Sequence, residues 1–201
     1  MGAGILPIAL YRGTIYLLLG QERHNNLLCD FGGSPHKEEQ IIDTAVREGC
    51  EELNGLLGDK EMVDRLVKSN LILMINDSKY TSYIFNIKYD KNLPYYFNNL
   101  NNFAESYLVD KINENHNGLF EKKKIEWYKL DDLKNLNLNS NSNFMKNVRP
   151  HYKNILKSIS SKEDFLKREL ISRQSNTGEL IVEELGRRST NKSEFYHVKD
   201  N

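Results

Sequence analysis

Three glutamates and one arginine lie close together in a stretch of the chain that has the periodicity of a helix. Glu48, Glu51 and Glu52 are three and four residues apart, so on a helix their carboxylates project from one face. Like charges at this spacing repel by roughly 0.2–0.5 kcal/mol per pair in an isolated helix. A bound Mg²⁺ or Mn²⁺ would reverse that penalty, because hard divalent cations prefer carboxylate oxygen. The spacing therefore indicates a divalent-cation site, and Arg47, four residues before Glu51, can brace it.

The stretch from Gly33 to Gly55 resembles the Nudix box, whose pattern is Gly, five residues, Glu, seven residues, then Arg-Glu-apolar-x-Glu-Glu-x-Gly-apolar. The fixed positions of that pattern fall on Gly33, Glu39, Arg47, Glu48, Glu51 and Glu52. Two places depart from it. Gly49 stands where the family usually has an aliphatic residue, and Asn54-Gly55 stands where it has glycine followed by an aliphatic residue. Neither departure removes an expected ligand, although a solvated helix face is the more common role of any one of these glutamates taken alone.

The resemblance implies a fold and a domain organisation. The expected fold class is α/β, a Nudix-like α/β/α sandwich with a mixed β-sheet, over residues 1–160. Within it, an insertion at about 90–124 is expected to shape the substrate pocket. Residues 161–201 are expected to form a C-terminal extension, to which the sequence assigns no role.

The resemblance also implies a metal-dependent reaction, in which water attacks one phosphorus of the diphosphate in a nucleoside diphosphate derivative. The expected cofactor is Mg²⁺ or Mn²⁺. Its expected ligands are Glu48, Glu51, Glu52 and the backbone carbonyl of Gly33, with Glu39 in a supporting role. Bound ions would neutralise phosphate oxygens and lower the pKa of the attacking water.

The general base is left open by the sequence. Glu51 can serve from within the box, where Arg47 braces it. Many Nudix proteins instead use a glutamate from the loop before a late tryptophan-bearing strand, and Glu121, six residues before Trp127, has that setting. A solvated charge that offsets the neighbouring lysines is the competing role for Glu121.

Candidate substrate-binding residues lie outside the box. Arg23 follows the second predicted strand and can contact a phosphate. Lys123, in the run 122–124, can bind phosphates or an RNA backbone, although three lysines on a loop are more often only solvated. Phe31 can stack on a base, although an aromatic residue in a strand usually belongs to the core.

The elements that must position these residues can be predicted from apolar periodicity and turn residues. Strands are predicted at Ile5–Tyr11, Thr14–Leu19, Leu27–Phe31, Leu71–Ile75, Thr81–Tyr89 and Ile125–Leu130. Helices are predicted from beyond Gly33 to about Asn54-Gly55, and at Asp59–Ser69, Phe103–Ile112, Pro150–Ile159 and Lys162–Arg173, with a short one starting at Leu130 and a polar loop at Leu136–Asn143. Arg12-Gly13 suits a two-residue hairpin turn.

Composition limits the class of protein. The 201 residues suffice for one domain of about 150 residues plus an extension. Lys plus Arg and Asp plus Glu balance at 28 each, so no net charge draws the chain to nucleic acid or to an acidic membrane. The two cysteines are too few for a disulfide framework, and the apolar runs are far shorter than the roughly 20 residues that cross a bilayer. We therefore expect a soluble, cytoplasmic protein with no membrane partner.

Three functions are compatible with this sequence. The first is a pyrophosphohydrolase acting on a small nucleotide, such as a nucleotide sugar, ADP-ribose, a dinucleoside polyphosphate or a damaged nucleoside triphosphate. The second is an mRNA decapping or RNA 5′-end-processing enzyme acting on capped RNA, which the asparagine-rich composition and a basic C-terminal stretch favour. The third is a noncatalytic module that senses a nucleotide. A homodimer is also possible.

Overall fold

The computed structural model describes residues 1–108, 118–135 and 143–174. Within these ranges, seven strands form one sheet: β1 (Gly2–Tyr11), β2 (Thr14–Glu22), β3 (Leu28–Cys29), β4 (Phe31–Gly33), β5 (Leu71–Asp77), β6 (Tyr80–Asn86) and β7 (Lys122–Lys129). Their order is β3-β2-β1-β6-β5, with β4 also paired to β1 and β7 to β2. β1 and β6 are parallel, whereas the other pairs are antiparallel. The expected mixed sheet of an α/β fold is confirmed.

The helices of the described residues are α1 (Ile41–Glu52), α2 (Lys60–Asn70), α3 (Leu93–Tyr107), α4 (Leu130–Asn135), α5 (Asn143–Lys146), α6 (Tyr152–Ser160) and α7 (163–174). The chain divides into two compact units, Met1–Glu163 and Asp164–Asn201. The part of the second unit that the structure describes, 164–174, is helical throughout. No helix among the described residues combines the length and the apolar character that a membrane span requires.

Strand β1 lies at the centre of the first unit. Its residues are buried without a break along Ala3–Leu10, so side chains on both faces of the strand are covered. On one face, Ile5 packs in a cluster with Ala45 and Val46 of α1 and with Phe31 at the start of β4. The buried face of α1 is thereby fixed against β1 and β4, which leaves Glu48 and Glu51 at the edge of this interface.

Local turn chemistry fixes the two ends of this arrangement. The predicted hairpin forms at Arg12 and Gly13, whose φ angles of 51° and 78° are the left-handed values that a two-residue hairpin turn needs. After α1, Asn54 and Gly55 adopt φ angles of 53° and 68°, and end the helix where the sequence predicted. The predicted strand Leu27–Phe31 forms as two short strands, β3 and β4.

Two predicted elements have different bounds in the structure. Helix α3 begins at Leu93, ten residues before the predicted start, because Phe97, Asn101 and Ala104 form a buried stripe through the asparagine-rich segment. Residues 109–112 of that predicted helix, and 136–142 of the predicted loop, lie outside the described residues. Strand β7 begins at Lys122, so the lysine run belongs to the sheet and not to the loop before it.

Gly49 marks a close approach between α1 and β1. A Cβ at this position would overlap the Cγ1 and Cδ1 atoms of Ile5, whose side chain is fully buried. The aliphatic residue that the Nudix pattern usually has here would therefore not fit this pair of elements.

We predict that Gly49→Ala lowers the free energy of unfolding by about 1 kcal/mol. Overpacking a core costs about 1–3 kcal/mol, and the gain in helix propensity returns at most about 1 kcal/mol. Chemical denaturation of the two proteins measures the difference. A more stable variant would show that the gain in helix propensity exceeds the cost of the overlap with Ile5, and that the Ile5 side chain moves aside easily.

Candidate functional site

Arg47 is the centre of a network of ion pairs at one edge of α1. Its Nε and Nη2 atoms each lie 3.0 Å from an oxygen of Glu39, and Nη2 also donates to the Ser34 carbonyl oxygen at 3.0 Å. Its Nη1 atom lies 3.0 Å from Glu48 Oε1 and 3.0 Å from Glu51 Oε2. One guanidinium thus orients three carboxylates. We call Glu39, Arg47, Glu48 and Glu51 the outer group.

Glu39 lies just before the first turn of α1 and is held there by several donors. Besides the two bonds from Arg47, its Oε2 atom accepts hydrogen bonds from the Thr44 hydroxyl and the His36 N–H, both at 3.0 Å. The hydrogen bonds from Arg47 above all, and then those from His36 and Thr44, lower the pKa of Glu39 to about 2, although its partial burial acts in the opposite sense. Glu39 therefore fixes Arg47, and Arg47 fixes the other two glutamates.

Glu48 and Glu51 are more accessible than Glu52, with side-chain exposures of 15% and 28%. A Cβ on Gly33 would lie 2.6 Å from the carboxyl atoms of Glu48, so the missing side chain at Gly33 makes room for that carboxylate. Burial raises the pKa of Glu48, and Arg47 acts in the opposite sense. The Gly33 carbonyl oxygen itself lies beside Gly2, 2.9 Å from where a Cβ on Gly2 would lie.

Glu52 lies apart from the outer group, and its side chain is only 5% exposed. Its Oε2 atom accepts a hydrogen bond from the Gly32 N–H at 2.7 Å, and its Oε1 atom lies 3.1 Å from Nζ of Lys122, whose side chain is fully buried. Burial raises the pKa of Glu52, whereas Lys122 and the Gly32 N–H act in the opposite sense. Burial by itself would lower the pKa of Lys122, but the charge of Glu52 and further groups raises it overall.

The raised pKa of Lys122 keeps its ammonium protonated beside Glu52. We describe Glu52 and Lys122 as an ion pair, because both oxygens of Glu52 accept hydrogen bonds from donors.

An irregularity in β7 brings Lys122 to this position. Gln21 of β2 is opposite Lys124 and the next residue, Glu22, is opposite Lys122, so Lys123 is the extra residue of a β-bulge. The bulge turns the Lys122 side chain inward, while Lys123 and Lys124 stay exposed.

The stem of Lys122 crosses Gly20 of β2, which has no side chain to obstruct it. A Cβ on Gly20 would lie 2.9 Å from Lys122 Cδ. A glycine on the neighbouring strand therefore provides the space that the buried lysine needs.

Further buried polar groups surround the ammonium of Lys122. Its Nζ atom lies 3.1 Å from the Cys29 sulfur and 3.9 Å from Glu22 Oε1, and the same Glu22 oxygen lies 2.6 Å from Arg149 Nη1. Burial raises the pKa of the Cys29 thiol to about 12, so it is neutral at physiological pH. We call Glu22, Glu52, Lys122 and Arg149 the inner group. Its two carboxylates are matched by two cations.

Asp30 lies near the inner group but has neutral partners of its own. The Tyr80 hydroxyl donates to one of its oxygens at 2.8 Å and the Ser82 hydroxyl donates to the other at 2.6 Å. Burial raises the pKa of Asp30 to about 6, and both hydroxyls act in the opposite sense. The two hydroxyl donors therefore offset part of the cost of burying this carboxylate.

The residues expected to hold Mg²⁺ or Mn²⁺ fit that role unequally. In the described part of the chain, no set of three or more His, Cys, Asp or Glu side chains is already arranged as a metal site. Glu48 and Glu51 present oxygen ligands at a partly open surface, next to a glycine backbone, and this donor type suits a hard divalent cation. Glu52 is engaged by a buried ammonium. Glu48 and Glu51 therefore fit the ion, and Glu52 fits it only if Lys122 moves away.

Glu121 is exposed in the segment just before β7. Its negative charge adds to the effect of burial in raising the pKa of both Glu48 and Glu52, so it lies on the same side of the molecule as these carboxylates. The segment is tied to the end of α1, because the Phe120 N–H donates to Asn54 Oδ1 at 2.8 Å. Its role as a general base stays a prediction.

The three candidate substrate-binding residues are in different surroundings. Arg23 donates from Nε to the Phe120 carbonyl oxygen at 2.9 Å and pairs with Glu105 at 3.3 Å, so its guanidinium already has partners. Phe31 is fully buried in the core, and its ring has no open surface for a base. Lys123 is exposed. Of these three side chains, Lys123 is the most open to a ligand.

The inner group of ion pairs was not predicted from the sequence. Strict alternation back from the buried Ile125 would turn Lys123 inward and Lys122 outward, and the bulge reverses this. Nothing in the sequence marks a bulge at this position. The pairing of Glu22 with Arg149 joins residues that are far apart in the chain and was equally inaccessible.

We predict that Glu39→Gln lowers the free energy of unfolding at pH 7 by about 1.5–3 kcal/mol, the range for hydrogen bonds to charged groups. Because the pKa of Glu39 lies below its ordinary value of 4.5, its contribution is complete above pH 4.5 and is lost as the pH falls towards 2. Urea denaturation of both proteins at pH 7 and pH 3 should show the difference shrinking at the lower pH. A difference that does not change with pH would contradict the assignment.

No protein-family model matches the sequence, and no curated protein matches it significantly. Solved structures do match. One is an Ap4A hydrolase binary complex from C. elegans, with 15% identity, a TM-score of 0.44, and coverage of 80% of this chain and 94% of that chain. Another is a putative NUDIX hydrolase from Listeria monocytogenes, with 11% identity, a TM-score of 0.44, and coverage of 83% and 96%.

A third is a bifunctional NMN adenylyltransferase/ADP ribose pyrophosphatase from Francisella tularensis, complexed with AMP and a Mn ion. It has 14% identity and a TM-score of 0.45, and the match covers 80% of this chain and 41% of that chain. Over most of its length, and at low sequence identity, the chain is similar in structure to Nudix hydrolases.

Proposed function

We propose that this protein is a pyrophosphohydrolase that depends on Mg²⁺ or Mn²⁺ and cleaves the diphosphate linkage of a nucleoside diphosphate derivative. The observation that carries the proposal is the outer group, in which Arg47 holds Glu39, Glu48 and Glu51 at 3.0 Å each. These residues, with Gly33, occupy five of the six fixed positions of the Nudix box. Their side chains meet in space, which the sequence pattern alone does not require.

The charge of the outer group supports a divalent cation. Three carboxylates share one guanidinium, which leaves a formal charge of two negative at a partly open surface. A diphosphate is itself anionic, so it would be repelled from such a surface unless a cation lay between them. One divalent ion would neutralise the excess and bring the substrate to the carboxylates.

Glu48 and Glu51 would hold the ion, with the Gly33 backbone close to Glu48. When bound, the ion would neutralise phosphate oxygens and lower the pKa of the attacking water. Arg47 keeps the two carboxylates in place before substrate arrives, which reduces the reorganisation needed in the transition state. Glu51 and Glu121 are the proposed candidates for accepting a proton from the water, because both are accessible at this edge.

Capped RNA is a second candidate substrate. The exposed side chains of Lys123 and Lys124 follow Glu121 closely and could contact phosphates beyond the scissile linkage. The neutral net charge of the chain favours a small nucleotide instead. A noncatalytic nucleotide sensor is a third possibility, for which binding without cleavage would be the evidence.

We predict cleavage in a screen of nucleotide sugars, ADP-ribose, dinucleoside polyphosphates and capped RNA with Mg²⁺ or Mn²⁺, followed by product masses. For the cleaved compound, Glu48→Gln should lower kcat/KM by about 100-fold or more, since a metal supplies several kcal/mol of transition-state stabilisation. Glu61→Gln, which changes an exposed glutamate of α2, is the matched control and should leave kcat/KM unchanged. Binding of a nucleotide without cleavage of any compound would favour the sensor, and equal activity of wild type and Glu48→Gln would exclude Glu48 as a ligand.

Salt dependence should separate the two substrate classes. For a small nucleotide we predict that KM changes by only about threefold between 50 and 200 mM salt, because few phosphates are contacted. An RNA held through about 6–10 phosphates would lose about 10³-fold or more in affinity over the same range. If capped RNA is the cleaved compound and its affinity shows the steeper salt dependence, the substrate is RNA and not a small nucleotide.

A further inference from the structure

We propose that the Lys122 ammonium stays paired with Glu52, so that the exchangeable divalent ion binds to Glu48 and Glu51 and not to Glu52. The inference rests on the proposed function and deepens it, since it states which box glutamates bind the ion. Glu52 then acts as a positioning residue and not as a ligand. The observation behind it is the 3.1 Å contact between Lys122 Nζ and Glu52 Oε1, made by a lysine with a fully buried side chain.

The two groups of charges differ in their need for a further cation. In the inner group, the carboxylates of Glu22 and Glu52 are matched by Lys122 and Arg149. The inner group is therefore neutral as it stands. The outer group keeps a formal charge of two negative, because its three carboxylates share only Arg47. A single divalent ion completes the outer group, whereas each carboxylate of the inner group already has a cation, and the nearby Asp30 carboxylate is held by the Tyr80 and Ser82 hydroxyls.

The Lys122 ammonium cannot easily give way to a metal ion. Its stem is enclosed between Gly20 and the strand bulge, and its Nζ atom contacts the Cys29 sulfur as well as Glu52. A divalent ion at Glu52 would lie next to this ammonium in a region with little water, where like charges repel strongly. Exchange would also require the ammonium to move further into the core, where Glu22 already pairs with Arg149 and Asp30 is already held by two hydroxyls.

Glu52 still has a task at the site. Through Oε2 it accepts the Gly32 N–H at 2.7 Å, which ties the end of α1 to β4. The next residue of β4 is Gly33, whose missing side chain makes room for Glu48. Lys122 fixes Glu52, Glu52 fixes the β4 backbone, and that backbone lies against the carboxylate that we propose as a ligand.

The test counts bound Mn²⁺ by electron paramagnetic resonance of the free ion, with the full chain and without substrate. Wild type should bind one Mn²⁺ per chain. The double variant Glu52→Gln/Lys122→Met replaces the buried ion pair with neutral side chains of similar shape, and the amide oxygen introduced by Glu52→Gln can still accept the Gly32 N–H. It should bind one Mn²⁺ with a Kd within about threefold of wild type, whereas Glu48→Gln should raise Kd about tenfold or more.

A loss of affinity in the double variant as large as that in Glu48→Gln would overturn the proposal, because Glu52 would then be a ligand. Two or more Mn²⁺ ions per wild-type chain would overturn it as well. Anomalous diffraction from wild-type crystals soaked in Mn²⁺ shows directly, without a variant, whether Glu52 is a ligand. A single peak beside Glu48 and Glu51, with Glu52 still on Lys122, supports the proposal, and a peak coordinated by Glu52 refutes it.

These outcomes are distinct from a failure of the proposed function. If wild type binds Mn²⁺ and cleaves a nucleotide while the double variant loses Mn²⁺, only the role of Lys122 is refuted. If wild type binds no Mn²⁺ and cleaves nothing, the pyrophosphohydrolase assignment and the ion site at Glu48 and Glu51 are both refuted.

Discussion

The geometry of the candidate site depends on one guanidinium that holds three carboxylates of like charge within a few ångströms of one another. Without Arg47, repulsion between Glu48 and Glu51 and the desolvation of Glu39 would favour separate, solvated side chains. With it, each carboxylate has a fixed direction before any ligand arrives. A buried or partly buried ion-pair network of this kind adds little net stability but fixes geometry, which is what a site for a charged ligand requires.

The second constraint is the separation of the charges into an outer and an inner group. The same helix supplies Glu48 and Glu51 to the partly open surface and Glu52 to the interior, because one residue further along α1 turns the side chain towards β4 and β7. The adjacent residues Glu51 and Glu52 thus contact different cations. Glu51 pairs with Arg47, in a group that keeps negative charge for a metal ion, whereas Glu52 pairs with Lys122.

The sequence predicted the parts of this arrangement that depend on local rules. The hairpin at Arg12-Gly13, the end of α1 at Asn54-Gly55, and the shared face of Glu48 and Glu51 follow from turn preferences and from helical spacing. These features can be predicted because each involves residues that are near in the chain, or a single residue type whose conformation is special.

The remaining features depend on tertiary packing. The asparagine-rich segment is helical because Asn101 is buried in a stripe with Phe97 and donates from its amide to the Phe97 carbonyl oxygen at 3.0 Å, which propensity alone would not predict. Lys122 is inside because a bulge shifts the register of β7 by one residue. A one-residue shift exchanges the faces of a strand, so no periodicity in the sequence could assign this lysine to the interior.

In the reaction that we propose, a metal ion at the outer group supports attack of water on a phosphorus of a diphosphate. Hydrolysis in ¹⁸O-labelled water, followed by mass spectrometry of the products, tests it most directly. We expect one ¹⁸O atom in a phosphate-bearing product. This product should form with Mg²⁺ or Mn²⁺, and a chelator should abolish its formation. Cleavage that continues at the same rate in the chelator, or products without ¹⁸O on phosphorus, would contradict it.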